Sequence, residues 1–496
     1  MKRVTSRNCR PAAVKDIPIR EPGLFRSELI EACSAGERII SCFGLSENGG
    51  VRIIAVTARD EFSSIHLSST LVFNGASYES CAADIPAMHI YEREIYEQFG
   101  ILPLNHPWLK PVRYPHDRAD KNAVMENYPF YTMEGEQLHE VGVGPVHAGV
   151  IEPGHFRFMC DGETVHHLEI QLGYQHRGVS SLMLQGDIRS KSTLAESLCG
   201  DTAIGHTSAY AQALEYLAGA DISRRAAAIR AIALELERIG IHLGDLSALA
   251  GDIAYLSGNA VFGALRTYVI NTSQALCGNR FGRGLIRPGG VLFDIDAALN
   301  EQIHATLRDV AVRTDDMANA LFADPGVLAR FEKTGTVDTA TARSIGMTGP
   351  AARASMIRSD VRADHPYGMY NFYPVFPRIM NSGDVFARAY VRYLEIQQSI
   401  DLILEILDSL PDDDGLMIPV ETFQPGMIVV SMCEGWRGEI VHAVMTGDNG
   451  SIRRYYIKDP SLHNWMGLAL AVRGNGISDF PVCNKSFNLS YCGNDL

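Results

Sequence analysis

Thiols and imidazoles are the side chains in this sequence suited to metal or redox chemistry, and their spacing narrows what they can do. Ten cysteines stand at positions 9, 33, 42, 81, 160, 199, 277, 433, 483 and 492, and no two of them form a Cys-x-x-Cys pair. Iron–sulfur clusters and structural zinc sites are usually built from such pairs, because several soft donors must converge on one metal. The spacing argues against either site being built from this chain alone. It reads as reduced thiols, most of them buried as small apolar groups. In Glu-Ser-Leu-Cys199-Gly-Asp-Thr202-Ala-Ile-Gly-His206, a cysteine is followed three positions on by Thr202 and seven on by His206. Taken alone, Cys199 reads as a buried thiol and His206 as a hydrogen-bonded core histidine on a helix.

The chain has 496 residues, 46% hydrophobic and 21% charged, enough to bury two or three cores. Its formal charge of -14 excludes electrostatic wrapping of nucleic acid, which needs clustered Lys and Arg. A protein or small-molecule partner fits better. No apolar run is long enough to span a bilayer, so no direct membrane span is expected. The basic start, Met-Lys-Arg-Val-Thr-Ser-Arg-Asn-Cys, has no apolar stretch behind it, so export is not expected either.

The elements that must carry these groups fall into three stretches. Residues 20–83 alternate β-branched runs with Asn-Gly turns and predict strands of a small α+β domain. Residues 103–140 carry Asn-His-Pro, Lys-Pro, Tyr-Pro and Asn-Tyr-Pro; prolines at this density oppose regular structure and mark a linker. From about 190 the pattern is helical. Ser223 is placed to cap a helix with Ile229, Ile232, Leu236, Ile239 and Leu243 on one face, and a second long helix is predicted from Asp384 to Leu410. After Pro419 strands return, with Asp-Asn-Gly as a hairpin turn.

Several collinear segments resemble one superfamily, the large subunit of membrane-bound (group 4) nickel-iron hydrogenases and the 49 kDa-type subunit of respiratory complex I. Tyr91-Glu-Arg-Glu-Ile-Tyr-Glu-Gln-Phe99-Gly100, His106-Pro107 and Arg113-Tyr-Pro115 resemble the signature of the 30 kDa-type complex I subunit, fused ahead of it. The large-subunit segments are Gly144-Pro-Val-His147 through His155-Phe-Arg157, Gly173-Tyr-Gln-His176-Arg177-Gly178, Gly278-Asn-Arg280-Phe281 with Arg287-Pro-Gly289-Gly290, Asp360-Val-Arg362, Gly383-Asp384-Val385, and Glu434-Gly-Trp-Arg437-Gly438-Glu439. The resemblance implies an α+β chain in three parts. A 30 kDa-like α+β domain spans 1–118 and a Pro-rich linker spans 119–140. A mainly helical hydrogenase-large-subunit-like domain with peripheral β-hairpins spans 141–496.

Within the resemblance, individual positions decide the expected chemistry. A nickel-iron centre needs four thiolates, which the family supplies as two Cys-x-x-Cys pairs. Here those positions hold Cys199 and Thr202, then Ser461 and Asn464, so three of the four thiolates are replaced and no metal is expected. Ser180 stands where the family carries a proton-relay carboxylate. In complex I a histidine and a tyrosine hold the quinone headgroup. His147 fits the first, whereas Gly200 replaces the second. The arginine and histidine beside the partner's cluster map to Ser197 and Gly282, with Arg283 adjacent. The sequence runs 32 residues beyond Asn464, which is more like complex I and the cysteine-poor, formate hydrogenlyase-like relatives than like a processed hydrogenase.

The expected protein is a cytoplasmic, peripheral-arm subunit on the inner face of the membrane, seated against a small iron–sulfur subunit and above antiporter-like, complex I-like membrane subunits. Electrons would pass from the partner's cluster to a quinone or another acceptor in a cavity lined by His147, His176, Cys199 and His206. His176, Arg177, Arg283 and Arg287 would face the partner. The alternative is a non-catalytic scaffold that couples motion to ion translocation; an orthodox hydrogenase needs ligands the sequence lacks.

Overall fold

A computed structural model describes residues 3–147, 151–412 and 415–496. Residues 148–150, inside the hairpin segment that begins at Gly144, lie outside the described residues.

The N-terminal module is built on long antiparallel strands, Arg38–Glu47, Gly50–Arg59 and Ser64–Phe73. Turns at Asn-Gly-Gly and Asp-Glu-Phe-Ser join them, and the helix Pro22–Ser34 covers one face with Phe25 and Leu29. Its last helix ties down the proline-rich segment that follows. Glu97, on the helix His89–Phe99, accepts hydrogen bonds from the backbone N–H of Val112, Arg113 and Tyr114. Arg93 donates to the carbonyls of Lys110 and Pro111. A proline-rich segment with few internal backbone bonds is thereby held by side chains from a rigid helix.

Four long helices form the centre of the second module: Arg224–Asp252, Leu256–Cys277, Ala297–Ala323 and Val385–Asp408. Ser223 caps the first by accepting from Ala226 N–H, and Asp384 caps the last through Ala387 N–H, as the cap chemistry at those positions predicts. The strands after Pro419, Met427–Gly435, Gly438–Thr446 and Ile452–Lys458, make an antiparallel sheet whose central strand is buried along its whole length. The helix Ala203–Ala218 packs on that sheet.

The two modules interlock. The short strand Ala12–Ala13 pairs with Met427–Ile428 of the C-terminal sheet. Asn8 brackets Met432, accepting from its N–H and donating to its carbonyl. Ion pairs continue the seam, Arg38 with Glu439 and His365 with Asp60.

Inside the second module, charges occupy positions that a simpler helical bundle fills with apolar groups. Arg362 bonds both oxygens of Glu235 and both of Asp360, while Arg353 joins Glu395 to Glu434. Arg238 donates to the carbonyls of Glu434 and Gly435. Such pairs cost desolvation and are retained where geometry must be specified. Here they fix the end of the strand Met427–Gly435, and with it the turn that carries Arg437.

Candidate functional site: a hydrogen-bonded web around Cys199

Cys199 lies in the loop ahead of the helix Ala203–Ala218 and is 1% exposed. Its sulfur is 3.0 Å from Asp201 Oδ1, 3.1 Å from Ser490 Oγ, 3.2 Å from Arg437 Nη1 and 3.4 Å from Thr202 Oγ1. Of the positions expected to correspond to the family's metal ligands, Thr202 and Ser461 lead to this sulfur. Thr202 does so directly. Ser461 Oγ accepts from the N–H of Ser490, whose own hydroxyl meets Cys199. Asn464 works at one remove: its amide accepts from Thr348 N–H at 3.0 Å and donates to Thr348 O at 3.1 Å. Thr348 in turn sets Gly349 against Gly438, the residue after Arg437. A Cβ on Gly349 would lie 2.0 Å from Arg437 O, and both glycines have positive φ, so the contact admits no side chain at either place.

Arg437 is the dominant charge of the web. Its guanidinium forks onto Asp201 at 2.6 and 2.8 Å, donates to Asn488 O and lies 3.8 Å from the centre of the Trp436 ring. Burial would lift the Asp201 carboxyl, but Arg437 beside it holds it below the usual range. The Cys199 thiol is pushed up, by its hydrogen bond to Cys492 and by burial, with Arg437 opposing. Glu237, on the next helix, accepts from Ile204 and Gly205 N–H at the start of Ala203–Ala218. Burial pushes its carboxyl up to about 8 against those two donors.

His206 is fully buried and bridges two other groups, His442 Nε2 at 3.1 Å and Asp459 Oδ2 at 3.0 Å, with Tyr455 OH beyond His442. His147 Nε2 is 2.8 Å from Gly154 O, across its hairpin. His176 and Arg177 hold the segment Ser490–Leu496 in place. His176 Nδ1 meets Asp495 O, Arg177 N–H donates to Leu496 O, and the Arg177 guanidinium donates to the carbonyls of Ser197, Leu198 and Cys492. Arg283 reaches Gly200 O, and Arg287 is paired with Glu196 at 2.8 Å. His176 and Arg177, with Ser180, also line an open cleft of about 860 Å³ that Glu94, Arg113 and Arg454 close from the other side. Cys199 and His206 are buried and do not line that cleft.

The donor set around Cys199 does not fit a dinuclear nickel-iron centre. Such a centre needs four thiolates, two of them bridging. Thr202, Ser461 and Asn464 offer hydroxyls and an amide already engaged with the protein, and a guanidinium contacts the one thiol among the four positions. Among the described residues, no group of three or more His, Cys, Asp or Glu is arranged to hold a metal ion.

Asp201, Arg437, Ser490 and Cys492 belong to the site, although their types and spacing do not single them out in the sequence. Arg437 stands in a recognisable motif, and its role depends on the strand turn that aims it. Ser490 and Cys492 carry no local signal at all.

Residues 252–425 match the family model of the respiratory-chain NADH dehydrogenase 49 Kd subunit, and residues 46–131 match that of the 30 Kd subunit. The chain is 29% identical to formate hydrogenlyase subunit 5 of Escherichia coli (strain K12), over 85% of this chain and 77% of that one. It is 30% identical to the carbon monoxide-induced hydrogenase of Rhodospirillum rubrum, over 71% of this chain and 97% of that one. Its fold matches a chain of the membrane-bound sulfane sulfur reductase, described as an archaeal respiratory membrane complex, with a TM-score of 0.68 at 24% identity, covering 74% of this chain and all of that one. The chain therefore belongs to the family that joins the large subunits of membrane-bound hydrogenases to the 49 kDa subunit of the respiratory NADH dehydrogenase, and it carries a 30 kDa-type module on the same polypeptide.

Proposed function

We propose that this chain is a peripheral-arm subunit of a membrane-bound, complex I-like respiratory assembly that works without a nickel-iron centre. Electrons from a partner's iron–sulfur cluster reach a quinone or another acceptor, and the transfer is coupled to ion translocation by antiporter-like membrane subunits. The reading places residues 1–118 and 141–496 as the two functional modules, with 119–140 as the linker, on the inner face of the cytoplasmic membrane. One observation carries it: the residues read as the family's ligand positions, Thr202, Ser461 and Asn464, are hydroxyls and an amide bonded into protein structure, and Cys199 is contacted by a guanidinium. The fused 30 and 49 kDa-type modules and the hydrogenase relatives support membership of such an assembly. No helix among the described residues is long and apolar enough to cross a membrane, consistent with attachment through partners.

In this reading the cleft at His176, Arg177 and Ser180 is where partner and acceptor approach, and the Cys199 web is the rigid wall behind it. Metal analysis of the assembly purified from membranes tests the proposal. Nickel far below one atom per chain, with intact iron–sulfur signals from a partner, is the expected result; stoichiometric nickel overturns it. A quinone-dependent signal that is lost in His147→Ala assigns the acceptor. A signal unchanged in that variant points to an acceptor other than a quinone at His147.

A further inference from the structure

A second cysteine stands beside Cys199. Cys492 comes from the helix Tyr491–Asp495 and Cys199 from the loop ahead of Ala203–Ala218, and they meet at one hydroxyl. Ser490 Oγ lies 3.1 Å from Cys199 Sγ and 3.4 Å from Cys492 Sγ, so one hydroxyl contacts both sulfurs. Both are free thiols. Their surroundings differ. Cys492 keeps 8% exposure, against 1% for Cys199. Arg437 donates to Cys199 Sγ and the Arg177 guanidinium to the Cys492 carbonyl, while Asp201 stands at the Cys199 sulfur and Glu152 at the Cys492 N–H. Nearby cations stabilise a thiolate, the form that attacks disulfides. Cys492, the more exposed of the two, is the thiol that a disulfide from solution reaches first.

We propose that Cys199 and Cys492 form a redox-active dithiol that exchanges with small disulfides, Cys492 attacking and Cys199 resolving. The Cys492 thiolate attacks one sulfur of R–S–S–R. A mixed disulfide forms, and the first RS⁻ leaves with the proton Cys492 gave up. Cys199 then attacks Cys492 Sγ, expelling the second RS⁻, which takes up the proton that Cys199 gives up. Two cysteine thiols are oxidised by two electrons and one disulfide is reduced to two thiols. A dithiol reductant, or two electrons from a partner's cluster with two protons from solvent, restores the starting state. The new bond would tie the Cys199 loop to the segment whose carbonyls hold His176 and Arg177, so the redox state would be felt at the wall of the cleft. None of this depends on the electron acceptor proposed above.

The test uses the full-length reduced chain incubated with oxidised glutathione, acid-quenched, alkylated and digested with trypsin. Cys199 falls in the peptide Ser192–Arg224 and Cys492 in Ser486–Leu496, each with no other cysteine. The expected result is a cross-link between these two peptides as the main disulfide, reversed by dithiothreitol. Cys199→Ser should accumulate a glutathione adduct on Cys492, and Cys492→Ser should slow modification of Cys199 by about tenfold or more. The wild-type cross-link map stands on its own if either variant misfolds. The proposal is overturned if Cys33 is modified while Cys199 and Cys492 remain thiols, if disulfides are spread over other cysteines, or if Cys199 reacts as fast without Cys492.

Discussion

Replacing Arg437 by methionine keeps most of the side-chain volume and removes the charge on which the Cys199 web is centred. The structure sets the size of the effect. The guanidinium side chain is 4% exposed and its partner Asp201 is 34% exposed. Breaking a fully buried pair costs about 3–5 kcal/mol, because a charge is left behind. Asp201 retains some access to water, which puts its share at the lower end, about 2–3 kcal/mol. Loss of the stacking on Trp436 adds about 0.5–1 kcal/mol. About 3 kcal/mol in total corresponds to roughly a hundredfold change in a local opening equilibrium. Hydrogen exchange by mass spectrometry suits a chain of several cooperative units better than one melting temperature. Amides of residues 198–206 should exchange about a hundred times faster in Arg437→Met. The double variant with Asp201→Asn should regain about 2 kcal/mol, since the stranded charge is gone. The pH dependence has a fixed sign. Asp201 titrates below its unfolded value, so its pairing stabilises the fold above the ordinary carboxylate pKa and is lost as pH falls through the folded one. The gap between wild type and Arg437→Met should thus be full at neutral pH and close in acid. A cost under about 1 kcal/mol, or a double variant no better than Arg437→Met, would refute the assignment of Arg437 as the charge that holds the site.

Other perturbations report on separate parts of the design. With Glu237 pushed up to about 8, wild-type stability should decline as pH rises from the ordinary glutamate range through that value; Glu237→Gln should lessen the slope in denaturant titrations across that window, the remainder belonging to the raised carboxyls of Glu434 and Asp364. Asn464→Leu strands the buried N–H and C=O of Thr348 and should cost about 2–3 kcal/mol, with exchange accelerating at Thr348–Gly349. Arg177→Met frees three carbonyls and should speed exchange across residues 490–496 while leaving the strand Gly438–Thr446 protected.

Local chemistry made much of this architecture legible. Ser223 and Asp384 announce the helices they cap, and Asp-Asn-Gly announces the hairpin between Gly438–Thr446 and Ile452–Lys458. Two features escape such reading. The pairing of Ala12–Ala13 with Met427–Ile428 joins residues with no shared local pattern, and two alanines have no strand signature. The site hides for the same reason. Thr202, Ser461 and Asn464 show in the sequence what is missing, whereas only the folded chain shows what each now does: one touches the thiol, one holds Ser490, and one braces the turn behind Arg437. A motif names residues, and the long-range contacts decide their use.

The N-terminal strand borrowed by the C-terminal sheet has a consequence for how the protein is made. Residues 8–14 find their partners at 426–432, so the first module can collapse early but cannot be sealed until nearly the whole chain has left the ribosome. Until then residues 8–14 wait without their partners, although Val4–Ser6 already pairs with the strand Ser64–Phe73. Splitting the polypeptide between the modules would turn this intramolecular clasp into a bimolecular one, whose closure depends on concentration. The fusion of the two modules thus acts as an assembly device: it supplies each half with its partner at high local concentration and at fixed one-to-one stoichiometry.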